Sequence, residues 1–151
     1  MLELARPGDR EAVETLAQQV HAMHIAWRPD IYESTQELYS EERFQNAIKE
    51  RQLYVAKIEN MVVGYLLLKI RNFNWTGVVN RKVMLVDEIA VHESCQNQGI
   101  GKKMMEDARA LARAFGCTDM QLSVYPQNDA AVGFYQKCGF TIQSINMQRQ
   151  V

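Results

Sequence analysis

At 151 residues and 17.4 kDa the chain is the size of one domain, expected to span residues 1–151. With 47% hydrophobic and 23% charged residues it has a globular composition, neither disordered nor collagen-like. Seventeen Lys+Arg oppose eighteen Asp+Glu with no block of either sign, which argues against a nucleic-acid partner.

No run approaches the ~18 apolar residues of a membrane span, and MLELARPGDREA lacks the pattern of a secretory leader, so no membrane partner and a cytoplasmic location are expected. Cys95, Cys117 and Cys138 are odd in number and at no metal-ligand spacing; they read as free thiols.

Leu2–Ala5 opens as a short strand. Pro7-Gly8-Asp9 turns the chain, and Val13, Leu16, Ala17, Val20, Met23, His24 and Trp27 then recur at steps of three and four, the apolar face of a helix that stops before Pro29. A weaker helix is expected over Ser34–Lys49. Leu53–Ile58 and Met61–Ile70 form a hairpin around Glu59-Asn60. The loop Arg71–Arg81 carries Phe73 and Trp75, and Lys82–Val91 is the next strand. Gly99–Phe115 is a helix stopped by Gly116. Met120–Tyr125 is a strand, Asn128 caps a short helix reaching Cys138, and Phe140–Met147 is a final strand. The predicted order is β-α-α-β-β-β-α-β-α-β, an α/β (α+β) fold.

The chemistry concentrates in Val86–Lys102, where an apolar strand and a polar loop lead to a glycine pair opening a helix. A helix N-terminus leaves backbone N–H groups unpaired, with roughly +0.5 of a charge behind them, and so favours phosphate. Lys102 and Lys103 add charge. A dinucleotide fingerprint fails because Met104 replaces its third glycine. A Walker loop fails at Gln96 and Lys103.

Gln96-x-x-Gly99-x-Gly101 after an apolar strand, then Asn128-x-x-Ala131-x-x-Phe134-Tyr135-x-x-x-Gly139-Phe140, resembles the GNAT superfamily of acyl-coenzyme A dependent N-acetyltransferases. The strongest motifs cover Val83–Phe140, and Gln96 stands where the family often has arginine. The resemblance implies a GNAT-like fold, with a mixed, mostly antiparallel central sheet flanked by helices. It implies acetyl-coenzyme A as co-substrate, no metal, and a small-molecule or peptide amine as acceptor. Dimers are common in the family, so a homodimer is among the expectations.

By the same resemblance, the amides of Gln96, Asn97, Gln98, Gly99, Ile100, Gly101 and Lys102 hold the pyrophosphate. Ile89-Ala90-Val91 pairs with pantetheine, with the Val91 or Ala90 N–H polarising the thioester carbonyl. Lys103, Asn128, Phe134 and Lys137 complete the cofactor site, and Tyr135 protonates the leaving thiolate. A lysine-like amine, of pKa ~10, must lose a proton before it attacks. Asp87 or Glu88 is the expected acceptor of that proton. Alternation puts the two on opposite faces and favours Asp87 if the strand is regular; a bulge reverses the choice. His21 and His24, three apart, lack a third metal ligand; with Trp27, Arg28, Asp30 and Tyr32 they are expected to wall the acceptor pocket, and the Phe73/Trp75 loop is the other candidate wall. Two readings compete with the enzyme: a non-catalytic coenzyme A sensing module on the same fold and a nucleotide-binding regulator.

Overall fold

The computed structural model describes residues Met1–Val151. One sheet runs in the order β1 (Leu2–Leu4), β2 (Leu53–Ile58), β3 (Met61–Phe73), β4 (Arg81–Val91), β5 (Asp119–Gln121). The first four strands are antiparallel and β5 lies parallel to β4. At the β2–β3 turn Glu59 and Asn60 take φ of 50° and 65°, the left-handed pair that lets a two-residue loop follow the strands' twist.

Helices α1 (Arg10–Trp27) and α2 (Glu41–Lys49) cover one face of the sheet. Val13, Leu16, Phe44 and Ala47 pack there with Tyr65, Leu67 and Ala90. Helix α3 (Ile100–Ala114) covers the other face, setting Ile100, Met104, Met105 and Ala108 on Leu66, Leu68, Met84 and Val86; α4 (Asp129–Lys137) borders that layer through Phe134 and Tyr135. Gly64 of β3 lies beneath α3. A Cβ there would meet the Ala90 carbonyl oxygen and the Met104 sulfur, each at 2.8 Å, so only glycine lets the helix sit this close.

Four boundaries differ from the sequence reading. β3 ends at Phe73, not Ile70, and takes the first three residues of the expected Arg71–Arg81 loop, because Arg71, Asn72 and Phe73 pair with Val83, Lys82 and Arg81 of β4. Helix α2 starts at Glu41, not Ser34, because the Glu14 carboxylate of α1 accepts from the backbone N–H groups of Leu38 (2.7 Å) and Tyr39 (3.0 Å), while Ser40 caps the helix through Arg43 N. β5 ends at Gln121, not Tyr125, since only Asp119–Gln121 runs against β4, at Val83–Leu85. The final strand over Phe140–Met147 does not form: the chain beyond Phe140 has no backbone hydrogen bond, turn or bend. A strand needs a neighbour, and β5 has left the ladder before it could supply one.

Candidate active site

β4 pairs with β5 only over Val83–Leu85, so its remaining length forms one wall of a cleft of about 2730 Å³. This exceeds the ~300–1,000 Å³ of an ordinary ligand pocket. Asp87, Glu88, Ile89, Ala90, Val91, Gln96, Asn97, Gly99, Ile100, Gly101, Lys102, Asn128, Phe134 and Tyr135 all border it. Gln98, Lys103 and Lys137 do not. The Lys103 ammonium is paired with Asp107 one helical turn on, and Gln98 donates to the Ser94 carbonyl at 3.3 Å.

The loop into α3 is built to expose its backbone. Asn97 (φ 62°) and Gly99 (φ 79°) turn it through the left-handed region, and no side chain caps the helix. None of the seven amides from Gln96 to Lys102 donates to a backbone acceptor. Such a row of N–H groups at a helix start, with Lys102 beside it, fits a diphosphate. Gly101 makes a different contribution from the one expected: a Cβ there would lie 3.2 Å from the Phe134 ring, so its absence lets α4 close on α3.

Val91 supplies the outward backbone edge. The His92 N–H donates to Val63 of β3 at 2.7 Å, so alternation turns Ala90 toward β3 and Ile89 and Val91 toward the cleft. The Val91 carbonyl accepts from the side-chain amides of Gln19 (3.0 Å) and Gln96 (3.1 Å), leaving its N–H directed into the cleft. Gln19 Oε1 also accepts from Glu93 N at 3.1 Å, clasping the loop to α1. Sequence reasoning missed Gln19 because a polar residue on an amphipathic helix carries no signal for what it spans.

The carboxylates are rearranged by a bulge. Leu67 pairs with Glu88 but Leu68 pairs with Val86, leaving Asp87 as the extra residue. The bulge breaks alternation, so the expectation of opposite faces is corrected: Lys69, on the same face of β3 as Leu67, holds Asp87 at 3.1 Å, while Glu88 turns to the same α1–α2 side, where Tyr39 and Tyr65 lie. Asp87 is exposed and ion-paired. Glu88 is half-buried. Its Oε1 accepts from the hydroxyls of Tyr39 (2.9 Å) and Tyr65 (2.7 Å), and its Oε2 from Arg43 Nη2 (2.6 Å). Burial, and then the Glu88 charge, raise both phenols well above the ordinary tyrosine range, which fixes them as donors.

Across the cleft, Tyr135 is half-buried between Phe134 (ring centroids 5.3 Å) and Phe140 (6.0 Å). Burial first, then nearby Cys138, pushes its phenol up to about 12. Asn128 caps α4 through Ala131 N at 3.2 Å.

The side of the cleft expected to wall the acceptor is aromatic. His24 packs on Tyr32 (5.1 Å), Tyr125 (5.9 Å) and Trp27 (6.1 Å), and the Tyr32 and Tyr125 hydroxyls share a hydrogen bond of 2.8 Å. Burial, then the His21 charge, hold the His24 imidazole below its ordinary value, against a smaller pull from Glu88. His21 Nε2 contacts the Glu33 carbonyl at 2.7 Å, and Arg28 is bound to Asp30. The other expected wall is corrected: Phe73 and Trp75 stack on each other, with Arg71 and Arg81 over the Phe73 ring, and neither aromatic borders the cleft.

Residues 20–140 match the acetyltransferase (GNAT) family model. The chain belongs to that family. YvbK of Bacillus subtilis (strain 168), an uncharacterized N-acetyltransferase, is 32% identical over 100 residues, which are 66% of this chain and 59% of that one. The chain thus spans about three fifths of the length of this curated relative. Among solved structures, a mutant of the BH1408 protein from Bacillus halodurans superposes with a TM-score of 0.94 at 26% identity, over 100% of this chain and 99% of that one. The aminoglycoside N-acetyltransferase AAC(6')-Iy in complex with CoA reaches 0.73 at 15% identity over the same shares, a likeness of fold alone.

Proposed function

We propose that this GNAT acetyltransferase acetylates a primary amine by direct attack within a ternary complex, with no acyl-enzyme intermediate. The observation that carries the reading is the row of unpaired amides from Gln96 to Lys102, set one loop away from the outward-facing N–H of Val91. A diphosphate and a thioester carbonyl can be held at two points of one cleft.

Acetyl-coenzyme A brings the activated acetyl group and a thiolate leaving group. The amides of Gln96–Lys102 bind its pyrophosphate, with the α3 dipole behind them. Val91 N–H, fixed by the Gln19 and Gln96 clasps on the same residue's carbonyl, stabilises charge developing on the thioester oxygen.

Glu88 takes up the amine proton. Three donors already occupy three of its roughly four lone-pair positions, so the fourth, on Oε2, holds the amine or a relaying water. Asp87 stays with Lys69. Tyr135 faces the thiolate; a phenol held at about 12 donates a hydrogen bond to sulfur more readily than it surrenders its proton. His24, Tyr32, Tyr125 and Trp27 form the wall against which the acceptor lies.

Incubation with acetyl-coenzyme A and a broad panel of primary amines, with release of free thiol as the readout, tests this reading. Turnover of at least one amine is expected. Coenzyme A binding without turnover of any amine would give the sensing module instead, and ATP or NAD binding in its place would give the nucleotide-binding regulator.

A further inference from the structure

The rings beside the end of α1 form a corner in the cleft. His24 and Tyr32 lie 5.1 Å apart with 31° between their planes, and the Tyr125 ring stands across them at 71° and 89°. All three are half-buried and border the cleft, so each keeps a surface open to it. Met23 and Ile31, 41% and 49% exposed, extend the same surface. The hydroxyls of Tyr32 and Tyr125 are turned to each other at 2.8 Å, which leaves the ring bodies to meet whatever enters. Rings set at right angles offer a flat guest one face to stack on and one ring to meet edge to face, the two arrangements that aromatic pairs prefer.

The charge around this corner is already matched. Arg28 grips Asp30 through two bonds, Nε at 2.9 Å and Nη2 at 2.7 Å, so the arginine is not open to a carboxylate nor the aspartate to an ammonium. Four carboxylates border the cleft. Asp87 is paired with Lys69 (3.1 Å), Glu88 with Arg43 (2.6 Å) and Asp119 with Arg81 (2.8 Å), while Asp129 stands in the first turn of α4, answered by that helix's positive end. The one open position among them is the fourth lone pair of Glu88, which the reacting amine takes. A second ammonium on the acceptor would lose water without gaining a counter-charge. The corner itself adds no charge: burial, then the His21 charge, hold His24 below its ordinary value, so its imidazole is neutral at pH 7. Glu88 lies near enough for its own charge to be felt there.

We infer that the acceptor is a monoamine with an aromatic body, its ring docked in the corner of His24, Tyr32 and Tyr125, its single amine at Glu88, and no second ammonium or carboxylate elsewhere. The inference rests on the proposed acetylation for the role of Glu88 and names the acceptor class for it. The amine nitrogen bonds the acetyl carbon, the C–S bond breaks with its electron pair leaving on the coenzyme A sulfur, and the amine's proton passes to Glu88.

The test compares phenethylamine, butylamine and spermidine as acceptors for the unmodified protein with acetyl-coenzyme A. The kcat/KM for phenethylamine is expected to exceed that of each alternative by about tenfold, the scale of one well-placed aromatic contact. Spermidine equal to or above phenethylamine overturns the inference, and so does butylamine at parity with it. Tyr125→Leu should narrow the preference over butylamine to about threefold or less, chiefly by raising KM for phenethylamine, whereas a merely structural loss would lower both amines together. Tyr32→Leu makes the same comparison on the facing ring if Tyr125→Leu does not fold. An unchanged preference in the folded variants overturns the inference. Should none of the three amines be acetylated, it is the acetylation reading that fails. Calorimetric titration of the same amines into protein saturated with coenzyme A then decides the acceptor class separately: binding of phenethylamine about tenfold tighter than the others upholds it, and equal or absent binding overturns it.

Discussion

The Tyr65 hydroxyl donates to Glu88 Oε1 at 2.7 Å, from the strand that pairs with Glu88's own. With Tyr39 on the same oxygen and Arg43 on the other, this carboxylate is held from β3, from α2 and from the segment leading into α2. Asp87, one residue earlier, has only an exposed lysine. A surface pair of that kind is worth ~0–1 kcal/mol and orients little.

Glu88→Gln is therefore expected to lower kcat at neutral pH by about 10²-fold, the lower end of general-base effects, and to recover partly at higher pH as free amine becomes abundant. Asp87→Asn should change kcat by less than about threefold. A pH series of kcat for both variants checks this; the reverse ranking transfers the role to Asp87, and negligible effects in both leave the proton to water alone.

Tyr135→Phe keeps the ring between Phe134 and Phe140 and removes only the hydroxyl. Because the phenol is held at about 12, the loss in kcat should lie at or below ~10²-fold, with coenzyme A affinity unchanged. If kcat is retained while chemistry limits the rate, the residue serves packing. If instead KM for acetyl-coenzyme A rises at constant kcat, the hydroxyl is a binding contact.

Gly101→Val places a Cβ 3.2 Å from the Phe134 ring and should push that ring aside and tilt α4 from the start of α3. Coenzyme A affinity is expected to fall by about tenfold, equivalent to 1.4 kcal/mol, measured by calorimetry on protein whose circular dichroism is unchanged. Unaltered affinity in a folded variant would remove this corner from the cofactor site.

For His24 the sign follows from its environment. Its folded-state value lies below the ordinary histidine value of ~6.5, so the native state binds fewer protons than the unfolded chain. Its contribution to stability is complete above pH ~6.5 and is lost as pH falls through the lower folded value. His24→Gln should flatten the decline of Tm between pH 7 and pH 5 relative to the parent; an unchanged slope would mean that other groups govern that range.

Much of this was legible in the sequence. The apolar steps of α1 and α3, the Glu59-Asn60 turn and the helix-opening Gly99 are local signals, and each one decides local geometry. What was hidden depends on pairs distant in sequence. The bulge at Asp87 arises from register against Leu67 and Leu68, so no pattern within β4 could announce it, although it decides which carboxylate is held. Glu14, reaching Leu38 and Tyr39 across the turn, set the late start of α2 in the same way. The strand expected at Phe140–Met147 was a sound reading of residue type, but whether β-forming residues make a strand depends on a neighbour the sequence cannot count.

Gly64 does not border the cleft, yet it governs a length inside it. Its missing side chain sets how deeply Met104 sinks toward β3 and the Ala90 carbonyl, and through α3 it sets the span from the amides of Gln96–Lys102 to the N–H of Val91. In the proposed mechanism acetyl-coenzyme A, whose length is fixed, meets both ends of that span together. A methyl group at Gly64 would lengthen it, and an error of about 1 Å in such a gauge can cost ~10²-fold in rate. The defect would register as slow chemistry in a protein that still binds its cofactor, caused by a residue that touches neither substrate.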